Sequence, residues 1–277
     1  MVHCPLILTH TPIKTRVFYT PSHIYYTMTD RCPTGVQGLD ELLDGGLPRG
    51  RSILLSGTCG TGKTTLAVQY LINGIEKYGE PGILVTLEQN NEEIRNDMAN
   101  YGIDIGKYED AGQLIIIDTS LSKIGIKDFI TTLPVSPQGS FSLLPDEFDM
   151  DKIVQLTMQA AQKIGAKRIA IDSLPALDYI IRETHDIRRS LINMTYQFKS
   201  SGLTTLIITE IDEEDGVSKH GVEEYIADGV IMLKTNEALD TRTLKIRKMR
   251  TVKHTLKPAT FEFGEGGIVV KPPKGGI

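Results

Sequence analysis

Apolar residues in this chain fall into short uninterrupted runs, separated by stretches in which they recur every third or fourth position. From residue 50 onward the runs Ile53–Ser56, Ile83–Leu87, Leu114–Asp118, Arg168–Asp172, Thr204–Thr209 and Gly229–Leu233 predict buried strands. Between them, Ile153, Leu156, Thr157, Ala160, Ala161 and Ile164 follow the spacing of one helix face, and Gly165 stops the run. Ile187, Leu191, Met194, Thr195 and Phe198 repeat that pattern up to Gly202. Strands alternating with helices predict an α/β fold with a mostly parallel twisted sheet flanked by helices. The tail breaks the alternation: Thr243–Arg250, Ala259–Phe263 and Gly267–Val270 predict a C-terminal antiparallel β extension at the sheet edge. Leu121 to Phe148, rich in Pro, Gly and Ser, predicts a long loop with a short helix, and loops of such length are often functional.

One turn between a predicted strand and helix carries chemistry. Gly57, Thr58, Cys59, Gly60, Thr61, Gly62, Lys63 and Thr64 fit G-x-x-x-x-G-K-[ST], and Thr65 follows. The strand Ile53–Ser56 leads in, and a helix from Leu66 to Tyr78 leads out with Leu66, Tyr70 and Leu71 on one side. Glycines there let backbone N–H groups curl around a β-phosphate at the positive end of the helix. Lys63 then reaches the β- and γ-phosphates, and the Thr64 hydroxyl supplies a coordination position for Mg²⁺. The pattern predicts a bound nucleoside triphosphate.

The 277 residues are enough for one large α/β domain or two small ones. A hydrophobic fraction of 40% and a charged fraction of 23% are ordinary for a globular chain. No apolar run is long enough to cross a bilayer as a helix. A net charge of -5 does not point to a dedicated nucleic-acid binder, although a local basic patch is compatible with it. Cys4, Cys32 and Cys59 form no metal-ligand spacing, a usage expected of a reduced, cytoplasmic protein. Cys59 reads as a small residue in a tight turn. Residues 1–27, with scattered short apolar patches and no signal-peptide pattern, are expected to be a disordered extension or a mis-assigned start.

Two carboxylates extend the phosphate-loop reading. Arg168–Asp172 is an apolar strand ending in Asp, and ligands of open α/β sheets lie beyond the carboxyl ends of the strands. Asp172 is therefore expected beside the phosphate loop, holding Mg²⁺ through water. Glu88 ends the strand that follows the phosphate-loop helix, where a carboxylate can orient water against a γ-phosphate. Glu92 and Glu93 read instead as charges favouring a helix start.

Thr34–Gly50 ahead of the phosphate loop resembles the lead-in of KaiC and archaeal RadA-type ATPases, as do Val85–Glu88 and Ile171–Ser173. Ser218–Asp228 resembles KaiC more closely than the recombinases, and the match covers about residues 32 to 265. The resemblance implies a single-domain KaiC-like ATPase over residues 28–277, with a RecA-like P-loop NTPase core that uses ATP. It further implies a homo-oligomeric ring, usually a hexamer, with ATP at each subunit interface. Lys248 and Arg250 match the K-x-R element that such proteins reach into the neighbour's site, and His254 stands where the family often has a histidine near the same phosphate. Read without the resemblance, that strand is a basic edge that could be solvated or hold nucleic acid.

The chain also departs from the family. Gln89 replaces the second of two paired glutamates, leaving base work to Glu88 and implying slow turnover. Glu224 and Tyr225 stand where KaiC's second domain carries its phosphorylated Ser-Thr pair, so an autokinase cycle is not expected. The favoured function is a ring ATPase that switches shape with its nucleotide and signals to a protein partner. The alternative is a DNA-binding RecA/RadA paralogue that modulates recombination. Against the alternative, the loop Asp212–His220 opens with a run of carboxylates and offers no aromatic residue for base stacking.

Overall fold

The computed structural model describes residues 30–119, 141–142, 150–179, 181, 184–211 and 216–273. The N-terminal extension, the acidic run Asp212–Asp215 and almost all of the predicted loop Leu121–Phe148 lie outside the described residues. A two-stranded antiparallel ribbon comes first, β1 (Arg31–Cys32) paired with β2 (Leu47–Pro48), with the short α1 (Leu39–Leu42) between them.

The core strands are β3 (Ser52–Gly57), β4 (Gly82–Thr86), β5 (Leu114–Asp118), β6 (Phe141–Ser142), β7 (Arg168–Asp172), β8 (Thr204–Glu210) and β9 (Gly229–Asn236). They run parallel in the spatial order β9-β3-β8-β7-β4-β5-β6. A tail of β10 (Thr241–Met249), β11 (Ala259–Gly264) and β12 (Gly267–Lys271) adds antiparallel strands to the β9 edge, completing a ten-stranded sheet. The predicted strands and the antiparallel extension are all present, with ends shifted by a residue or a few. Strands β1, β2 and β6 are additions among the described residues, β6 being a short pairing inside the segment expected to be loop.

Alternation along each strand sends neighbouring side chains to opposite layers. Ile53, Leu55, Leu84 and Ile116 face one core with α2 (Lys63–Tyr78), α3 (Asn91–Ala99), α4 (Ile105–Asp110) and the antiparallel tail. Leu54, Ile83, Val85, Ile115 and Ile117 face the other with α5 (Met150–Ile164) and α6 (Thr184–Ser200). Helix α5 buries Ile153, Thr157, Ala160 and Ala161 as the spacing predicts, but also Met150 and Val154. Leu156 and Ile164 are only half-buried. Helix α6 buries Ile187, Leu191, Met194 and Phe198, while the Thr195 hydroxyl turns back to donate to the Leu191 carbonyl.

At the amino ends of the parallel strands the buried charges are paired with one another. Arg168, fully buried at the start of β7, donates through Nε to Glu80 Oε2 at 2.8 Å and through a guanidinium nitrogen to the Tyr70 carbonyl. The guanidinium lies over the Tyr70 and Tyr78 rings, 4.8 and 5.2 Å from their centroids. Arg49 donates to the other oxygen of Glu80 at 2.7 Å and also pairs with Asp30, tying the ribbon to this end of the sheet. Burial pushes the Cys32 thiol up, and the thiol lies against the Tyr70 hydroxyl. That contact is the environment of an inert packing cysteine.

Candidate functional site

The opposite end of the sheet holds the phosphate loop. Chain passing from β3 into α2 must reverse tightly, and Gly60 and Gly62 do so at φ 75° and 92°, conformations that glycine adopts without strain. A Cβ on Gly57 would lie 2.7 Å from the Leu233 carbonyl oxygen, so the strand can approach its neighbour only as glycine. Helix α2 starts with no side-chain cap at Gly62 and no acidic residue in its first turn. Its leading N–H groups therefore remain free to receive an anion. Thr58, Cys59 and Gly60 are exposed at the crest of the loop, and the Thr61 hydroxyl braces it by donating to the Thr58 carbonyl at 2.9 Å.

The loop is backed by the far end of the chain. Gly62 packs under Phe263 closely enough that an added Cβ would come within 2.6 Å of the ring. Gln69 of α2 exchanges two hydrogen bonds with Ile268, accepting from its N–H and donating to its carbonyl.

Lys63 is buried, and its ammonium donates to the carbonyls of Gly57 at 3.0 Å and Thr58 at 2.8 Å. Glu210 Oε1 lies 3.6 Å from the same ammonium. Parallel register sets that contact, because Glu210 at the end of β8 is level with Gly57 at the end of β3. Sequence reading ended this strand at Thr209 and did not single out Glu210. The cue is available in retrospect: a carboxylate ending an apolar strand, as Asp172 does.

Asp172 is buried at the end of β7 and accepts a hydrogen bond from the Thr64 hydroxyl, although β8 separates its strand from β3. Its Oδ2 is buried without a protein partner. Burial pushes the carboxyl up to about 6; the Thr64 hydrogen bond and Lys63 pull down, while Glu88 and Glu210 push up. Leu87 N–H donates to the Asp172 carbonyl, which fixes the exposed Glu88 next to this aspartate. Glu210 and Asp172 thus share the Lys63 ammonium, and Glu88 adds a third carboxylate beside Asp172. That arrangement and the unpartnered Oδ2 fit a divalent cation bound at Thr64 and Asp172. Among the described residues no group of three His, Cys, Asp or Glu side chains could hold a metal. Phosphate oxygens and water would have to complete its shell.

Other predicted residues are placed differently. Asn90 and Glu93 form a reciprocal capping box at the start of α3, which accounts for that glutamate structurally. Gln89 follows Glu88 but turns aside, its amide 3.4 Å from Asp97. Lys248 and Arg250 stand at the amino end of the sheet, and His254 follows in the connection after β10. Met249 pairs with Gly229, which pairs with Ile53, four residues before Gly57 and about 13 Å along the strand. Lys248 donates to the carbonyls of Glu224 at 3.0 Å and Ala227 at 2.7 Å, and partial burial with Arg250 nearby holds its pKa down. Arg250 NH1 lies 3.7 Å from Asp228 Oδ1. His254 Nδ1 is 3.0 Å from the Val252 carbonyl.

The connection from β8 to β9, which includes α7 (Glu223–Ile226), carries a cluster that sequence reading missed. His220 bridges Asp178, in the 3-10 helix Leu174–Tyr179 after β7, and the buried Glu223. Hydrogen bonding to Glu223 raises the His220 pKa, and burial only partly offsets it. Burial by itself would raise Glu223, but hydrogen bonds from His220 and the backbone bring it down to about 2.

A phosphate loop on β3, its helix α2, and an aspartate reaching the loop threonine from beyond an intervening strand define a P-loop nucleotide-binding ATPase fold of the RecA type. Comparison with known proteins narrows this. The family model described as "ATPase: KaiC" matches residues 32–275. A UPF0273 protein of Aeropyrum pernix is 34% identical over 250 residues, covering 89% of this chain and 96% of that protein. The circadian clock oscillator protein KaiC of Prochlorococcus marinus is 33% identical over 243 residues, 87% of this chain but 45% of that protein. This chain therefore spans less than half the length of the KaiC relatives that it matches. The crystal structure of a KaiC-like protein from Pyrococcus horikoshii aligns with TM-score 0.73 and 36% identity, covering 88% of this chain and all of that one. The chain belongs to the KaiC ATPase family and has the RecA-type fold.

Proposed function

We propose that this protein is a Mg²⁺-dependent, slowly turning-over ATPase that works as a nucleotide-driven switch, its site completed by a neighbouring copy in a ring, most simply a hexamer. The observation that carries this reading is the constellation at the carboxyl end of the sheet, where Lys63, Thr64, Asp172 and Glu88 converge on the phosphate loop. Loop N–H groups and Lys63 hold the β- and γ-phosphates of ATP; Gly57 to Thr65 supply the cradle. Thr64 and Asp172 hold Mg²⁺, which offsets phosphate charge when bound. Glu88 accepts a proton from water and aims it at the γ-phosphate, without help from Gln89.

Lys248 and Arg250 lie too far along the sheet to serve their own phosphate loop, and His254 follows them in the chain. The same residues, offered to the next copy, would place positive charge on its γ-phosphate, the role of an arginine finger. Among the described residues no helix is long and apolar enough to cross a membrane. The switch is read as acting on a protein partner. Glu224 and Tyr225 in place of Ser and Thr argue against self-phosphorylation, and the clock role in the relatives' names is not transferred to a chain less than half their length.

The test is steady-state ATP hydrolysis by mixed assemblies. Lys63→Ala and Arg250→Ala are each expected to be inactive or slow alone and to regain activity when mixed in equal amounts, since about a quarter of the interfaces in a random ring then pair an intact loop with an intact finger. No gain on mixing rejects completion by a neighbour. A rate that rises several-fold with single-stranded DNA would favour a recombination accessory instead.

A further inference from the structure

The cations assigned to the neighbour's phosphate are held in a specific way by the subunit that carries them. Asp228 is buried at the head of β9, and its carboxylate faces three cations from three separate elements. Arg51, just before β3, lies 3.2 Å from Oδ1; Lys199, in the last turn of α6, lies 3.6 Å from Oδ2; Arg250, just after β10, lies 3.7 Å from Oδ1. The backbone of the same residue is tied at both ends. Its N–H donates to the Ser52 carbonyl at 2.8 Å, and its carbonyl accepts from the Arg250 N–H at 3.0 Å.

Lys248 is anchored by the segment leading into Asp228, through the Glu224 and Ala227 carbonyls. Residues 224–228 therefore hold both cations of the pair, one by backbone carbonyls and one by a carboxylate. One negative charge against three positive ones leaves Arg250 only partly neutralised. Its contact is the longest of the three, and its side chain is 57% exposed, against 34% for Arg51 and 44% for Lys199. Such a guanidinium is aimed but not used up. Tyr225 of α7 and Tyr196 of α6 stand 68% and 63% exposed on the adjoining helices, as expected of a face that a partner covers.

We infer that Asp228 is a positioning residue: it pre-sets the Arg250 guanidinium for the terminal phosphate of a nucleotide held by a neighbouring copy. The inference rests on the proposed in-trans reading. Holding the side chain before the copies meet removes the ordering cost from the hydrolytic step. Asp228→Asn keeps the shape and one acceptor but drops the charge. It is expected to lower kcat about tenfold, within the range that misplacing one reacting group costs, with KM for ATP unchanged.

A merely structural Asp228 would act through Arg51 and Lys199 and would behave otherwise, so three readouts separate the two cases. Asp228→Asn combined with Arg250→Ala is expected to be no slower than Arg250→Ala alone; a further multiplicative loss overturns the inference. Arg51→Gln, which removes the carboxylate's other close partner, is expected to lower the melting temperature with a smaller loss of kcat; a kcat loss equal to that of Asp228→Asn overturns it. Mixing Asp228→Asn with Lys63→Ala subunits is expected to raise activity above either alone, and no gain overturns it.

Should Asp228→Asn not fold, Asp228→Glu keeps the charge and displaces it. A wild-type kcat for that variant overturns the inference as well. If Arg250→Ala turns over like the wild type, the in-trans reading fails and takes this inference with it. If Arg250→Ala is slow and Asp228→Asn is not, this inference fails alone.

Discussion

The two ends of the parallel sheet treat polar groups in opposite ways. At the amino end, Arg168, Glu80, Arg49, Asp30 and Tyr70 satisfy one another, and a fully buried guanidinium is sandwiched by rings. At the carboxyl end Asp172 keeps an unpartnered buried oxygen, α2 starts uncapped, and Lys63 leans on carbonyls of its own loop. Charges paired with one another stabilise, whereas a buried carboxylate oxygen left without a partner retains the capacity to bind. The same side-chain chemistry thus yields scaffold at one end and site at the other.

That contrast can be broken from either side. The largest effect is expected for Lys63→Ala, with nucleotide affinity measured by calorimetry falling on the order of a thousandfold, about 4 kcal/mol, while the melting temperature hardly moves. The mirror-image change is Glu80→Ala, which leaves Arg168 buried and unpaired. It is expected to cost about 3 kcal/mol of stability in denaturant unfolding, with nucleotide affinity retained in the folded fraction. If Glu80→Ala instead weakened binding and spared stability, the division between the two ends would be wrong. Glu88→Gln is expected to bind ATP normally and to lose about a hundredfold in kcat, roughly 2.7 kcal/mol. Unchanged turnover would remove Glu88 as the group that orients water.

The smallest expected effect concerns the Asp178–His220–Glu223 cluster, where Lys219 also reaches Asp178 at 2.8 Å. The folded pKa of His220 is raised above its ordinary 6.5, so its stabilisation is fully present below that value and is lost as pH rises through the folded pKa. Glu223 is depressed to about 2, so its contribution persists from the ordinary carboxylate range upward and is lost only as pH falls through that value. Melting temperature is therefore expected to decline above pH 6.5, and His220→Gln should flatten that decline. A slope unaltered by the substitution would remove His220 as its source.

Much of this architecture could be read from the chain, because the signals were local. Apolar runs bounded by glycine marked Leu114–Asp118 and Arg168–Asp172 to the residue, and the phosphate loop is a contiguous motif between a strand and a helix. Helix α4 escaped, since six residues starting at Ile105 offer too little periodicity. Glu210 and Asp228 escaped for another reason. Their importance lies in which strand sits beside which, and the order β3-β8-β7 places Glu210 at Gly57 through pairing that no local pattern records. Arg168 read as the first residue of a strand; that it is the most enclosed cation of the scaffold depends on Glu80 and Tyr70, far away in sequence.

The packing of Gly62 beneath Phe263, and of Gln69 against Ile268, has a consequence for the order of events during synthesis. The binding motif is translated well before the surface that supports it. A chain interrupted before Ala259 should therefore present the complete phosphate-loop sequence and bind no nucleotide, which pull-down of stalled chains on immobilised ATP would reveal. Nucleotide capture then reports that the antiparallel tail has been made and folded against the loop. Unfinished copies would be silent.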